Sequence, residues 1–417
     1  MLLILAVPVL LVLCGHLLVS WKDQSVLNWM TPTVLVSIPA LFVFPYIYLV
    51  LFGREESCYA DIYCACCNTV AIALPALVYR WIKLPPLGWS GSGPASRWAH
   101  WIALAFAELT FAPILIEFRN YLLDPRHIYQ ETRRGYGLPF FGSAVLLNVA
   151  ATLFFFRKSK NRGADFLFWI IVGASTLEHG SKGELLSFLW IWILFRIYVD
   201  RRPFKLLESA RVIVVLGVVL ATSFIAFGIA EPAELIQGVS KYADYTRTAS
   251  HVIDDPDRPV YFGLLTLEDN IYSRIPRAFF PEKPKVFGVF RLTMRYFSAS
   301  DWEDVGSPDF GIGIPYADFG PFAILYIAAF AFFTGISASC LVRKLKTDPN
   351  PGNLLLLAFF AGVSLIPTGI GYSLPETALL SWLVLKASRF PAIRFVGRSR
   401  SATLDNPRKE NAIIEIS

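Results

Sequence analysis

Apolar residues in this chain of 417 gather into long continuous blocks, not strict alternations or one-sided stripes. The blocks fall at 2–20, 31–53, 66–82, 98–118, 138–156, 165–178, 184–200, 209–230, 319–342, 353–371 and 374–390. A helix needs ~20 apolar residues to cross a bilayer. Unpaired backbone polar groups in hydrocarbon cost several kcal/mol each, so a continuous apolar block there must be helical. The short alternating segments of a membrane β-barrel are not seen. The pattern therefore predicts an all-α, polytopic transmembrane helix bundle of about eleven spans. The block 165–178 is short for a full crossing, and 165–200 is alternatively a broken hairpin, which would change the count by one. Met1 to Val19 has no basic stretch before its apolar run, so it reads as a first spanning helix and not as a cleaved signal.

Composition agrees: 55% of residues are hydrophobic and 17% charged, against about 25% charged in a soluble domain. The formal net charge is +6, and in a membrane protein its placement carries the information. The basic residues lie mostly in short turns between apolar blocks, which argues against a nucleic-acid partner. One alternate set of connections holds Lys22; Arg80, Lys83 and Arg97; Arg157, Lys158, Lys160 and Arg162; Arg196 to Arg211; and Arg343 to Lys346. Excess Lys and Arg mark cytoplasmic loops, which places the N-terminus outside and the C-terminus inside. The opposite set comprises 54–65, 119–137, 179–183 and the long segment 231–318. Loop 119–137 breaks the rule with Arg119, Arg126, Arg133 and Arg134. Either the topology slips locally, or these cations are held outside for an anionic ligand.

The chain thus divides into N-terminal transmembrane helices (1–230), a large outside loop (231–318), C-terminal transmembrane helices (319–390) and a basic tail (391–417). A connection of that length is usually functional or disordered, and this one is rich in aromatics and proline. Its centre runs from Tyr272 through Arg274, Pro276, Arg277, Phe279, Phe280, Pro281, Lys283 and Pro284 to Lys285. Proline fixes φ and lowers the entropy lost on ordering. Arg offers a planar fork of donors to phosphate or carboxylate. The segment reads as a stiff cationic platform beside the bilayer, or more plainly as a surface loop with snorkelling cations. A second cation, Lys182, lies in Gly180-Ser181-Lys182-Gly183, ahead of a helix whose positive end favours anions. An ordinary glycine turn with a solvated lysine is the plainer reading.

Asp318 stands where the loop enters the next apolar block, as a candidate general base. Asp269 and His251 are rivals, and each alone is more simply structural. Arg247, His251 and Tyr272 join Lys182 and Lys283 as candidate substrate-binding residues, the cations among them suited to an anion. Asp255-Pro256-Asp257 resembles the acidic pair of cytosolic sugar transferases, but it falls outside the cytoplasm and reads as a turn. Glu108, near the middle of the fourth block, would suit a proton path, and Glu117 lies near its end. Cys64, Cys66 and Cys67 fit no zinc spacing. Cys58 with Cys64 is a candidate disulfide, and small buried hydrophobes are the alternative. P-loop, dinucleotide, metal-protease and serine-hydrolase motifs are not found, which disfavours an ATPase or a soluble-type hydrolase.

Three pieces together resemble the oligosaccharide repeat-unit polymerases, the O-antigen polymerase (Wzy-type) family. They are Gly180-Ser181-Lys182-Gly183, where the family typically has Arg in place of Lys; Arg274-Ile275-Pro276-Arg277 running into Phe280-Pro281-Glu282-Lys283-Pro284; and the Gly-rich approach 311–320 with Asp318. The resemblance implies a fold similar to C-type membrane glycosyltransferases in a bacterial inner membrane, with the loop periplasmic. It implies polymerisation of undecaprenyl-diphosphate-linked repeat units, with membrane lipid as surroundings and a chain-length regulator as a suggested partner. In that chemistry Arg274 and Arg277 would neutralise the leaving diphosphate with Lys182 and Lys283, and Asp318 would take the acceptor proton. An O-antigen ligase shares this layout, and a flippase or transporter of the lipid-linked unit is the rival of another class, with Glu108 as its marker.

Overall fold

The structure is a computed structural model describing residues 2–53, 57–91, 95–122, 124–132, 136–157, 161–180, 182–226, 244–272, 274–275, 279–298, 308–362 and 374–389. Arg277 and the tail from 391 lie outside the described residues.

Among the described residues, every apolar block falls on helix. The helices are α1 (Leu2–Asp23), α2 (Thr31–Ile38), α3 (Phe44–Phe52), α4 (Cys58–Trp81), α5 (Ala99–Glu117), α6 (Pro125–Thr132), α7 (Gly137–Phe155), α8 (Arg162–Glu178), α9 (Lys182–Leu194) and α10 (Leu206–Ala226). Beyond them come α11 (Asp244–Asp254), α12 (Leu264–Tyr272), α13 (Phe290–Tyr296), α14 (Gly313–Phe319), α15 (Ala323–Thr347), α16 (Pro351–Gly362) and α17 (Leu374–Ser388). Five stretches are long and apolar enough to cross a membrane: Ala6–Asp23, Thr31–Leu51, Cys58–Trp81, Ala99–Glu117 and Gly313–Thr347. Pro139–Phe155, Leu186–Val199 and Pro351–Phe360 are apolar but shorter. Two blocks contain π turns, at Pro39–Val43 and Phe195–Val199. Proline has no N–H to donate, so the first of these wide turns sits where the α-helical ladder is already broken.

Among the described residues the largest departure from an expected boundary is the start of α4. Helix α4 starts at Cys58, eight positions before the apolar block, because Ser57 caps it by accepting from the Ala60 N–H at 3.0 Å. Cys58 and Cys64 consequently share one helix, and all six cysteines are free. Six helical steps separate them by ~9 Å along the axis, beyond the reach of a disulfide.

Small residues let the long helices approach closely, as lipid-embedded packing requires. A Cβ on Gly335 of α15 would meet the Pro75 carbonyl of α4 at 2.6 Å, and one on Gly15 of α1 would meet the Ala76 Cβ at 3.2 Å. Polar groups finish the bundle at one end. The Asp23 carboxylate is fully buried and accepts from the Tyr79 hydroxyl at 2.7 Å, the Tyr198 hydroxyl at 2.7 Å and Lys346 Nζ at 3.2 Å. The Tyr198 oxygen in turn accepts from the Trp29 N–H at 3.2 Å. One carboxylate thereby joins α1, α4, the π turn after α9, and α15. Beside it, both side-chain amide atoms of Asn353 engage the Trp89 backbone, accepting from N at 2.8 Å and donating to O at 2.9 Å. This fastens segment 82–98 to α16.

Asp23→Ala leaves two buried phenol donors without their acceptor. It is expected to destabilise the protein by about 2–5 kcal/mol, read as a lower melting temperature in detergent, whereas Asp23→Glu should recover part of the loss.

Candidate functional site

The long loop builds a small domain of its own. Ala249, Val252 and Ile253 of α11, Leu265 of α12, Leu292 of α13, and Phe310, Ile314, Tyr316 and Ala317 around α14 form a buried cluster with Ala60 and Cys64 of α4. Gly313 permits the closeness of α14 and α11, since a Cβ there would meet the Ala249 Cα at 3.0 Å. Three contacts fasten this cluster to the bundle. Asp254 accepts from the Ser57 N–H at 2.9 Å and from the Ser57 hydroxyl. Tyr63 meets Tyr316 edge-on at 4.9 Å, and its hydroxyl donates to the Pro321 carbonyl at 3.1 Å. The N-cap of α4 and the dock of the loop are therefore the same residue.

Asp318 lies at the centre of this domain and is 0% exposed. Its Oδ1 accepts from the Leu265 N–H at 3.0 Å, and its Oδ2 from the Thr266 N–H at 3.0 Å and the Thr266 hydroxyl at 2.7 Å. These are the orphan donors at the start of α12, so a carboxylate from α14 caps another helix. The backbone repeats the tie: the Tyr261 and Phe262 N–H groups donate to the Ala317 and Asp318 carbonyls at 3.1 and 2.8 Å. With both oxygens engaged, Asp318 fixes the start of α12.

Arg274 lies just past the other end of α12. It donates to the Asn270 carbonyl, to Asn270 Oδ1 at 3.1 Å, and to Glu376 in the first turn of α17. Next to it, Tyr272 stacks on Phe280 at 6.3 Å and meets Phe287 edge-on at 5.4 Å. Lys283 Nζ donates to the Ile275 carbonyl at 3.2 Å and lies 4.8 Å from the Phe287 ring centroid. Tyr272, Arg274 and Lys283 are thus gathered into one aromatic, cationic corner, as the stiff platform requires. Arg277 belongs to the same segment but lies outside the described residues.

Two carboxylates on α12 serve the turn before α13. Glu268 accepts from Arg291 through both oxygens at 2.8 Å and from the Gly288 N–H at 2.8 Å. The Arg291 bond holds the Glu268 carboxyl below its usual range despite partial burial. Asp269 accepts from the Val289 N–H at 3.1 Å. Burial, reinforced by the charges of Glu268 and Asp318 and opposed by that N–H, pushes its carboxyl up to about 6. Gly288 has φ +53°, and a Cβ there would collide with the Asp269 carboxylate, so this turn admits only glycine.

Other candidates stand apart. Arg247 of α11 lies over the Tyr48 ring at 4.1 Å. His251, one turn later, is exposed and meets Phe297 edge-on at 5.8 Å. Lys182 is the first residue of α9, and its side chain lies outside the described residues. Below that turn His179 is buried, stacked on Phe111 at 3.9 Å, with Nδ1 2.6 Å from the Ser175 carbonyl and Nε2 2.7 Å from the Ser143 hydroxyl. His179 anchors the turn from beneath. Glu108 accepts from the Ser175 hydroxyl. Sequence reading passed over Glu376 as a partner of Arg274; its one signal was a lone carboxylate opening an apolar block.

Asp318→Ala strands three donors at the head of α12 and is expected to cost about 2–3 kcal/mol. Limited proteolysis should then cut within 244–298 before the bundle. Unchanged protease resistance with lost activity would point instead to a purely chemical role.

Comparison with known proteins finds two relatives over nearly the full length. The chain is 29% identical over 381 residues to the O-antigen polymerase of Salmonella typhimurium and equally to that of Salmonella typhi, covering 90% of this chain and 93% of each relative. No family model matches it, and no solved structure does. Spread along nearly the whole of both chains, this likeness makes the protein similar from end to end to these two named O-antigen polymerases.

Proposed function

We propose that this protein is a multi-pass inner-membrane glycosyltransferase that polymerises undecaprenyl-diphosphate-linked repeat units in O-antigen biosynthesis. The observation that carries this reading is the match with named O-antigen polymerases along 90% of the chain. It favours polymerase over the ligase and flippase alternatives. We assign the loop to the periplasmic face, the N-terminus to the periplasm and the C-terminus to the cytoplasm, from the distribution of Lys and Arg. Eleven spans, a fold of the C-type glycosyltransferase kind and a chain-length regulator as partner complete the proposal.

In the reaction, the acceptor hydroxyl oxygen attacks the anomeric carbon of the growing glycan. The bond from that carbon to the diphosphate oxygen breaks, and undecaprenyl diphosphate leaves with the electron pair. Preorganised cations stabilise the charge that develops on the leaving group. Arg274, held by Asn270 and facing Glu376, takes that role with Arg277 and Lys283 from the same segment. Lys182, ahead of the positive end of α9, is assigned to a diphosphate. Tyr272 offers a flat face for a sugar, and Arg247 and His251 extend the binding surface along α11. The acceptor proton needs a base. Asp318 holds α12 in place, and the carboxylate suited to receive the proton is Asp269 on the same helix, with its pKa near 6.

Arg274→Ala in a strain lacking the chromosomal gene should leave single repeat units on a gel of surface polysaccharide, while wild type restores a ladder. A normal ladder from Arg274→Ala would overturn the assignment of the loop. Asp269→Asn should lower the polymerisation rate about 10²–10⁴-fold. A base must be deprotonated to act, so the wild-type rate should fall as pH drops through about 6 and stay level above it; a rate that is flat across this range would exclude Asp269.

A further inference from the structure

Helix α12 is turned inside out. Its polar side chains face the protein: Thr266 donates to Asp318, Glu268 pairs with Arg291, Asp269 accepts from Val289, and Asn270 holds Arg274. Its apolar side chains face away. Leu264, Leu267 and Ile271, at i, i+3 and i+7 on one stripe, are exposed, with Leu267 at 55%, and Phe262 just before them is 84% exposed. Only Leu265 turns into the buried cluster. In water this polarity would be reversed, because exposed apolar area is unfavourable and neighbouring polar groups would be hydrated.

The stripe adjoins the entry of a candidate membrane span. The start of α12 is bonded to the end of α14 through Asp318 and the two backbone hydrogen bonds, and Gly263 lies against Phe319, whose ring a Cβ there would meet at 3.3 Å. The candidate span Gly313–Thr347 passes directly from α14 into α15, where Phe322 and Leu325 are exposed at 73% and 66%. Phe262 and Leu264 at the start of α12 and Phe322 and Leu325 at the start of α15 are all exposed.

We propose that α12 is an interfacial helix, lying in the bilayer surface at the entry of α15 with Phe262, Leu264, Leu267 and Ile271 among the acyl chains. Such helices seat their apolar face at the boundary of headgroups and acyl chains. The occupant is bulk lipid, because the stripe adjoins the entry of a candidate membrane span. The cationic corner at Arg274 is thereby held at headgroup depth, where a lipid-borne diphosphate would lie. The inference stands on the exposure pattern alone and holds whatever reaction the loop performs.

The test places a coumarin amino acid at Leu267 of the full-length protein, reconstituted in phosphatidylethanolamine and phosphatidylglycerol vesicles. The same label at exposed Asp257 serves as aqueous reference, and a second label at Leu264 guards against a local effect of the first. Phosphatidylcholine with a nitroxide high on its acyl chain should quench the labels at 267 and 264 severalfold more than at 257, and aqueous iodide should show the opposite order. Iodide quenching at 267 equal to that at 257 would overturn the proposal. So would protection of 267 from both quenchers, which would mean that protein covers the stripe.

Discussion

A single carboxylate decides where the loop sits. Asp318 is buried on the short helix that leads into α15, and it supplies the acceptors for the first N–H groups of α12. A helix end buried without partners is unstable, so α12 forms where Asp318 stands and not elsewhere. Through α12 the same tie sets Glu268 and Asp269 against the Gly288 turn, and Arg274 against α17. α15 and the cationic corner thus share one coordinate frame, fixed by three hydrogen bonds to one side chain.

The bundle beneath follows a different rule. Inside lipid there is little hydrophobic gain from bringing helices together, so close packing over small residues and a few well-satisfied polar groups must suffice. Gly15, Gly335 and the Asp23 clamp show both devices within one neighbourhood of α1, α4 and α15. The bundle is rigid where Asp23 gathers four elements, and that end is remote in chain connectivity from the loop that carries the candidate chemistry.

Much of this was legible from the sequence because hydrophobic runs of membrane length have one structural solution. Among the described residues each block is helical, and the aromatic and basic segment around Tyr272, Arg274 and Lys283 gathers into one corner. What was illegible depends on partners far along the chain. Helix α4 begins at Cys58 because the loop covers its first turn and Ser57 bonds Asp254, 197 residues away. That Asp318 precedes a long apolar block was readable, but its bonds to α12 were not, since those partners lie 53 and 52 residues earlier. The polarity of α12 was hidden for the same reason: its period suggests an ordinary amphipathic helix, and only the fold reveals which face looks inward.

The six cysteines are free, so no disulfide holds the loop domain. Carboxylates do that work instead: Asp254 on Ser57, Asp255 on Arg295 and Tyr296, Glu268 on Arg291, and Asp318 on α12. For Asp255, partial burial opposes ionisation, but bonds from Arg295, Tyr296 and the Asp257 N–H prevail, and its pKa lies below the usual range, as that of Glu268 does. Groups with depressed pKa values lend their stability above the unfolded-state pKa and lose it as pH falls through the folded one. The Asp255 and Glu268 anchors, which both hold α13, therefore weaken as pH falls. Acid strong enough to protonate both would release α13 on two sides at once, while the apolar contacts of the bundle do not titrate.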